Sequence, residues 1–433
     1  MANVFLKKFY KMTETERLNA LKNAGIVSQK DYESLIHEQI KLPKSIANRM
    51  IENYLVNYDL PFGVAMNFLI DGKERVIPMV TEEPSVIAAA SNAGKLTRNL
   101  GGFTSQMTKR HVIGQIILKD VENPEKAMLR LQENENKLLD LANAAHPSIL
   151  NYGGGAQTIN SRIVKADSTI NNPEFFIVHL IVDTAEAMGA NIVNTMTEAI
   201  APYIIELIGG TSLMNILSNY ATESITKATC MIHPDDLATD EMEGELVRDR
   251  IIEASQLAQL DSYRAVTHNK GIMNGIDALL LATGNDWRAV EAGAHAYAAR
   301  SGQYRSLSRW TKEEKGYLKG EIELPISIGA VGGTLSVHPT AQLAYRILEN
   351  PSANELSRIL ASVGLAQNLA ALKALVTDGI QKGHMALQAR ALAIRVGAKD
   401  VQIDQVATEL EKADHMNSQT AKKILSQILE KGV

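Results

Sequence analysis

The sequence predicts an α+β fold: a large, mainly helical body, interrupted by a smaller α+β unit at roughly residues 112–220 and followed by a helical tail. Three observations predict it. From His111 to Leu207 the pattern reads strand, helix, strand, strand, helix, an order that makes one sheet with helices packed on it. On both sides of that stretch, long helical periods alternate with strands that stop at glycines. From Met385 onward, repeated Ala and charged residues read as a helical, mobile cap.

At 433 residues with 45% hydrophobic and 21% charged side chains, the chain can bury one or two sizeable cores. A net charge of −5 with mixed signs gives no reason to expect nucleic acid or an anionic membrane as partner. The single cysteine, Cys230, excludes an intrachain disulfide framework and any multi-cysteine metal cluster. No signal pattern or uninterrupted apolar run of spanning length is present, so a cytoplasmic, soluble protein is expected.

Taken in order, Thr13 and Glu16 have capping-box spacing and Gly25 stops the helix that follows. Ser28 to Asp31 opens a second helix, and Lys44 to Tyr54 reads as a third. Phe62 to Val80 reads as two strands joined at Asp71-Gly72, a strong hairpin signal. The extended approach then meets Glu82-Glu83-Pro84-Ser85, where Pro84 is expected in the first turn of a helix running past Ala88. Carboxylates there would face unpaired helix N–H groups. Within the insertion, His111–Leu118, Ser161–Lys165 and Phe175–Asp183 read as strands, and 124–145 and 190–207 as helices. Beyond it come a strand at Thr226–Ile232, a helix at 242–262, a strand at 321–328 and helices at 339–348 and 353–375.

Four polar positions in apolar, Gly/Ala-rich settings are candidates for chemistry: Glu83, Lys270, Asp286 and His384. Each has a plain structural alternative: a helix cap for Glu83 and Asp286, a solvated lysine, and a loop histidine between Gly379 and Gly383 at a hinge. Together they would constrain the reaction. A lysine stabilises an oxyanion on a carbonyl, a carboxyl group of raised pKa donates a proton, and a histidine on a flap protonates a leaving thiolate. Gly189 opens a helix whose amides could hold a pyrophosphate, although neither it nor Gly153–Gly155 supplies the Gly-x-Gly-x-x-Gly fingerprint. Lys109-Arg110-His111 reads as an isolated basic turn at the surface, no ligand spacing for a metal is evident, and Gly-x-Ser-x-Gly is absent.

The segments Thr81–Ser91, Asp183–Thr195, Tyr263–Asn274, Gly284–Tyr297, Gly329–Pro339 and Gly364–His384 closely resemble the bacterial-type second class of 3-hydroxy-3-methylglutaryl-CoA (HMG-CoA) reductases, in the same order. Glu-Glu-Pro-Ser-Val and Gly-Asn-Asp-Trp-Arg-Ala-Val-Glu-Ala-Gly-Ala-His-Ala-Tyr are highly specific together. The resemblance implies reduction of HMG-CoA to mevalonate and CoA by two nicotinamide molecules, through mevaldyl-CoA and mevaldehyde. It implies that Lys270 stabilises the oxygen, Glu83 supplies a proton, Asp286 tunes both, and His384 protonates the CoA thiolate. Ser85, Arg264, Asn274 and Asn368 match positions for the hydroxymethylglutaryl end; Met188, Gly189, Asn191 and Asn219 match the cofactor region.

The same resemblance implies a large substrate domain in two parts (1–111 and 221–378), a small non-Rossmann cofactor domain (112–220) and a C-terminal flap (379–433). It further implies homodimers, or trimers of dimers, with active sites at subunit interfaces. Two departures bear on the cofactor: His146 stands where NADH-preferring relatives carry an aspartate, and Glu186 replaces a common aspartate. The expectation is NADPH, with NADH as an alternative, and no metal. A CoA-thioester hydrolase and a non-reducing, CoA-binding dimeric scaffold are the competing readings.

Overall fold

The computed structural model describes residues 9–431 except 378, 400 and 414, and describes no side chains for 380–387 and 431. Three short helices lead in: α1 (Glu14–Asn23), α2 (Gln29–Ile36) and α3 (Lys44–Met50). The Thr13 capping box forms in both directions, and Ser28 caps α2 through the Asp31 amide. The third helix ends four residues earlier than the sequence predicts, at Met50.

The hairpin follows as read, β1 (Phe62–Ile70) and β2 (Lys73–Val80) pairing antiparallel with Ile70 opposite Lys73. Next come α4 (Val86–Thr97) and β3 (Phe103–Met107), the latter a strand too short and polar to carry a readable alternation. The inserted unit holds β4 (His111–Lys119), α5 (Pro124–Glu133), α6 (Glu135–Ala145), β5 (Gly155–Val164), β6 (Phe175–Asp183), α7 (Ala190–Ile208) and β7 (Thr211–Ser218). The predicted 124–145 helix is thus two helices parted at Asn134, and β5 starts six residues earlier than expected. The four strands form one antiparallel sheet in the order β5-β6-β4-β7. Their inward residues, among them Ile116, Leu118, Val178 and Leu180, pack against Met196, Ile200 and Ile204 of α7.

The larger body resumes with β8 (Ile225–Ile232), α8 (Pro234–Leu237), α9 (Gly244–Leu260), α10 (Ser262–Ala282), α11 (Trp287–Ala298), β9 (Ser308–Lys312), β10 (Leu318–Pro325), α12 (Pro339–Ile347) and α13 (Ala353–Val376). Its six-stranded sheet runs β2-β1-β3-β8-β10-β9, so strands distant in sequence meet at β1-β3 and β3-β8. Helix α13 is long and apolar enough to cross a membrane by length and composition. In the fold it is the central core helix: Leu356, Ile359, Leu360, Val363, Leu365 and Leu369 are essentially fully buried. Each such side chain contributes about 1.5–3 kcal/mol on burial.

The tail forms α14 (Ile380–Arg395), α15 (Val401–Glu411) and α16 (Ser418–Lys431), with their own small core around Val406, Leu410 and Leu425. Its first helix starts at Ile380, so Gly383 lies inside α14, while Gly379 carries the positive φ of 77° before it. The whole is a large, mainly helical body with an inserted α+β unit and C-terminal helical segments.

Candidate active site

At the end of β2 the chain turns sharply. The Thr81 amide is held by the Pro61 carbonyl (3.2 Å), and the Glu83 amide donates to Thr81 Oγ1 (3.1 Å). Ser85 is left-handed (φ 74°), which no residue inside a right-handed helix can be, so Pro84 stands outside α4 and not in its first turn. The Glu83 carboxylate consequently crosses to α10 instead of capping α4. Lys270 Nζ donates to Glu83 Oε2 at 2.7 Å, and Asn274 Nδ2 reaches Oε1 at 3.4 Å. Lys270 and Asn274 share one helix face at i and i+4. The 267–274 stretch is mid-helix. The ion pair is open, with Lys270 59% and Glu83 36% exposed. Pairs so placed add only about 0–1 kcal/mol to folding, so stability does not account for it.

Behind Lys270, α10 is pinned by a buried polar cluster. His268 Nε2 lies 2.6 Å from Ser308 Oγ and 3.0 Å from Asn368 Nδ2. Ser308 Oγ and Trp310 Nε1 both donate to Asn368 Oδ1, at 2.9 and 2.7 Å. Burial, with the nearby Arg264 charge, pushes the His268 pKa down to about 3, so the ring is neutral near pH 7. Asn368 is 1% exposed and both its amide atoms are engaged, so here it braces α10 from α13 and does not present an amide to a ligand. A second network, His295 between Glu291 Oε2 (2.6 Å) and Tyr304 OH (2.6 Å), lies along α11. Beside it, burial and the neighbouring Glu291 raise the Asp277 pKa. The i, i+4 spacing of Glu291 and His295 was its only trace in the sequence.

A cleft of about 470 Å³ opens where the inserted unit meets the larger body, lined by Met188, Gly189, Asn191, Asn285, Asp286, Arg288, Gly329, Gly332 and Gly333 among others. Its floor is the start of α7, whose N-cap Gly189 (φ 96°) offers no side-chain cap and leaves the first amides free for an anion. Glycine is required there, because a Cβ would lie 2.2 Å from Thr184 Cγ2. At Gly329 a Cβ would lie 2.6 Å from the Met188 amide nitrogen.

Asp286 caps α11, accepting from the Arg288 and Ala289 amides and from Arg288 Nε (3.1 Å). Burial works to raise its pKa, but these donors and the Arg288 charge bring it below the usual carboxylate range. It therefore faces the cleft and pairs with Arg288; the expected direct hold on Lys270 and Glu83 is not among the described contacts.

The other expected site residues divide. Ser85 is exposed beside Glu83, while the half-buried Arg264 lies near His268 and gives its backbone amide to Asp261 (2.8 Å). Glu186 turns away from the cleft and accepts from the Ala353 amide at the start of α13 (2.6 Å). Asn219 is likewise outside the cleft lining, its carbonyl set against Gly293 of α11. His146 ends α6, its Nδ1 3.3 Å from Ser148 Oγ, in a turn that packs through Gly154 against Asp183 and Ala185. The His384 side chain lies outside the described residues. Arg110, expected at the surface, is half-buried between the two walls of the cleft.

The family model described as hydroxymethylglutaryl-coenzyme A reductase matches residues 13–389, a span that includes Glu83, Lys270, Asp286 and His384. The chain belongs to the HMG-CoA reductase family. Within it, 3-hydroxy-3-methylglutaryl-coenzyme A reductase of Archaeoglobus fulgidus is 43% identical over 97% of this chain and 94% of its own length. A probable HMG-CoA reductase of Borreliella burgdorferi is 34% identical over 88% and 86%. Among solved structures, the HMG-CoA reductase of Streptococcus pneumoniae superposes with a TM-score of 0.83 at 45% identity, covering 98% of this chain and 99% of that one. A class II enzyme structure from the same organism, bound to NADPH in open conformations, superposes with a TM-score of 0.82 at 45% identity, over 96% and 100%. The chain is accordingly of the class II, bacterial and archaeal type.

Proposed function

We propose that this family member reduces HMG-CoA to mevalonate and free CoA, using two NAD(P)H and passing through mevaldyl-CoA and mevaldehyde. The observation that carries this reading is the 2.7 Å Lys270–Glu83 pair, a cation and a carboxylate side by side. The inserted unit is read as the cofactor domain (112–220), set in a substrate domain (1–111 and 221–378) with a flap at 379–433. Met188, Gly189 and Asn191 at the start of α7, which has no side-chain cap, fit a dinucleotide pyrophosphate, and the NADPH-bound relative supports NAD(P)H as the cofactor. When bound, the nicotinamide supplies hydride.

The chain's own residues then manage charge and protons. Lys270 Nζ holds the substrate oxygen as negative charge develops on it in both reductions. The Glu83 carboxylate, which accepts from that ammonium, takes up a proton from solvent and passes it on to convert the oxyanion to a hydroxyl. Asn274, on the other carboxylate oxygen, fixes the orientation of Glu83. Ser85 and Arg264 bind the hydroxymethylglutaryl end. His384, at the head of the tail helices, protonates the departing CoA thiolate. The open pair at Lys270, and exposed Ile51, Leu55, Val56 and Tyr58, fit a homodimer, alone or in a trimer of dimers, in which a second copy closes the site. A cytoplasmic location and dependence on no metal complete the reading.

An anaerobic assay of HMG-CoA with NADPH, reading CoA release and nicotinamide absorbance together, tests it. Two nicotinamides oxidised per CoA are expected. CoA release without NADPH would mark a hydrolase, and binding without either change a scaffold. His384→Ala is expected to slow thioester reduction strongly and mevaldehyde reduction little, since mevaldehyde has no thiolate to protonate. Equal losses on both substrates, with cofactor affinity unchanged, would remove His384 from the leaving-group role.

Cofactor choice is assigned to His146. An aspartate in its place would accept the adenosine-ribose 2′-OH and repel a 2′-phosphate, whereas an imidazole can donate to phosphate. The expected result is a higher kcat/KM for NADPH than for NADH, shifted toward NADH in His146→Asp. A strong NADH preference unchanged by that substitution would move the determinant elsewhere around the ribose.

A further inference from the structure

The basic turn that opens the inserted unit has no place in the chemistry above, yet one of its side chains is the most heavily committed cation near the cleft. Arg110 Nη1 donates to the Ala185 carbonyl, and Nη2 to those of Ala187 (3.1 Å) and Ile328 (2.6 Å). Two of these acceptors belong to the loop that leads into α7, and the third to the strand exit that becomes the opposite wall.

The same seam carries other ties. Ala187 bridges Val331, and the Ala330 amide donates to the Glu186 carbonyl (2.8 Å). Tyr345 OH donates to the Gly329 carbonyl (2.7 Å), and the Gly329 amide donates to Asn285 Oδ1 (2.9 Å), next to Asp286. A guanidinium reaches the three carbonyls from two separate nitrogens held in a rigid fork, whereas a lysine would have to reach them from a single nitrogen. Burial lowers the Arg110 pKa while Glu186, Asp183 and Tyr345 oppose that, and an arginine so placed keeps its charge.

We propose that Arg110 is a positioning residue for the nicotinamide cofactor: by bonding both walls, it fixes the start of α7 at the distance from the Asn285–Asp286 loop that a dinucleotide spans. This rests on the reading of the cleft as the NAD(P)H site. The ligand amides and side chains touch the cofactor; Arg110 touches only the carbonyls behind them. Losing it frees the seam and leaves the Lys270–Glu83 pair as it is.

The test is a titration of NADPH and, separately, of HMG-CoA into the full-length protein, with Arg110→Lys and Arg110→Met beside the wild type. Losing the hydrogen bonds of one charged group that holds a binding wall is worth on the order of 10- to 100-fold in an equilibrium constant. Arg110→Met is therefore expected to weaken NADPH at least tenfold, with Arg110→Lys between it and wild type and HMG-CoA affinity held within about twofold. Hydrogen exchange without ligand should quicken at the Ala187, Met188 and Ala330 amides. If Arg110→Met does not fold, Arg110→Lys, which keeps charge and stem, carries the same comparison. Wild-type NADPH affinity in the folded variants, or HMG-CoA affinity falling in parallel with NADPH, overturns the assignment. A wild type that binds NADPH but does not oxidise it sinks the reductase reading instead, and the same titrations still decide the role of Arg110.

Discussion

Lys270→Ala is expected to cut turnover of both HMG-CoA and mevaldehyde by about 100- to 1,000-fold while leaving the fold and NADPH affinity nearly unchanged. The size comes from losing one charged donor aimed at a developing oxyanion, about 3–4 kcal/mol. The indifference of the fold comes from exposure: a pair with its lysine 59% exposed has little stability to lose. Both substrates are expected to suffer because, in the proposed reaction, both present a carbonyl oxygen to the same ammonium. The substitution also strips Glu83 of its 2.7 Å partner and leaves it with only the longer Asn274 contact, so proton delivery is disturbed too. Rates on the two substrates, with thermal unfolding and an NADPH titration as controls, check this. Near-wild-type turnover of either substrate would end the role given to Lys270.

Asn368→Ala is expected to destabilise the protein by about 3–5 kcal/mol, because it removes the common partner of three buried groups. Trp310 Nε1 and Ser308 Oγ lose their acceptor, and His268 Nε2 loses a contact at 3.0 Å. Each unsatisfied buried group costs about 1–3 kcal/mol, and the missing atoms leave a small void. Denaturant unfolding should register the loss directly. HMG-CoA affinity, measured where the variant is folded, should fall far less than it would for a direct ligand contact. A variant of wild-type stability that binds HMG-CoA poorly would return Asn368 to the ligand side of α13.

Some of this protein could be read one residue at a time. The capping box at Thr13, the Asp71-Gly72 hairpin, and the limits of β6 and α7 depend on neighbours within a few positions, and the structure has them where the pattern places them. Strands β3, β7 and β9 could not be read that way. They are short or polar-faced and exist because β8, β4 and β10 lie alongside to pair with them. From the sequence, Lys270 could equally be a solvated surface lysine, because Thr267 to Asn274 is rich in polar residues. In the fold those residues divide between the exposed face bearing Lys270 and the buried face bearing His268 and Asn269, a partition that only the packing of α10 on α13 and β9 produces.

By itself, then, the sequence determined the kinds of group available at the candidate site: a lysine, two carboxylates, a glycine-opened helix and the order of segments that make up the reductase family. Those are properties of residue type and local spacing. Which groups meet was decided by tertiary structure. Glu83 goes to Lys270 because a left-handed Ser85 keeps its carboxylate off α4; Asp286 goes to Arg288 because it caps α11; Asn368 turns inward because Trp310, Ser308 and His268 are buried around it. Arg110 acquires its place from carbonyls at positions 185, 187 and 328. Such contacts join residues up to 218 positions apart, and their geometry is set by how sheets and helices pack around them.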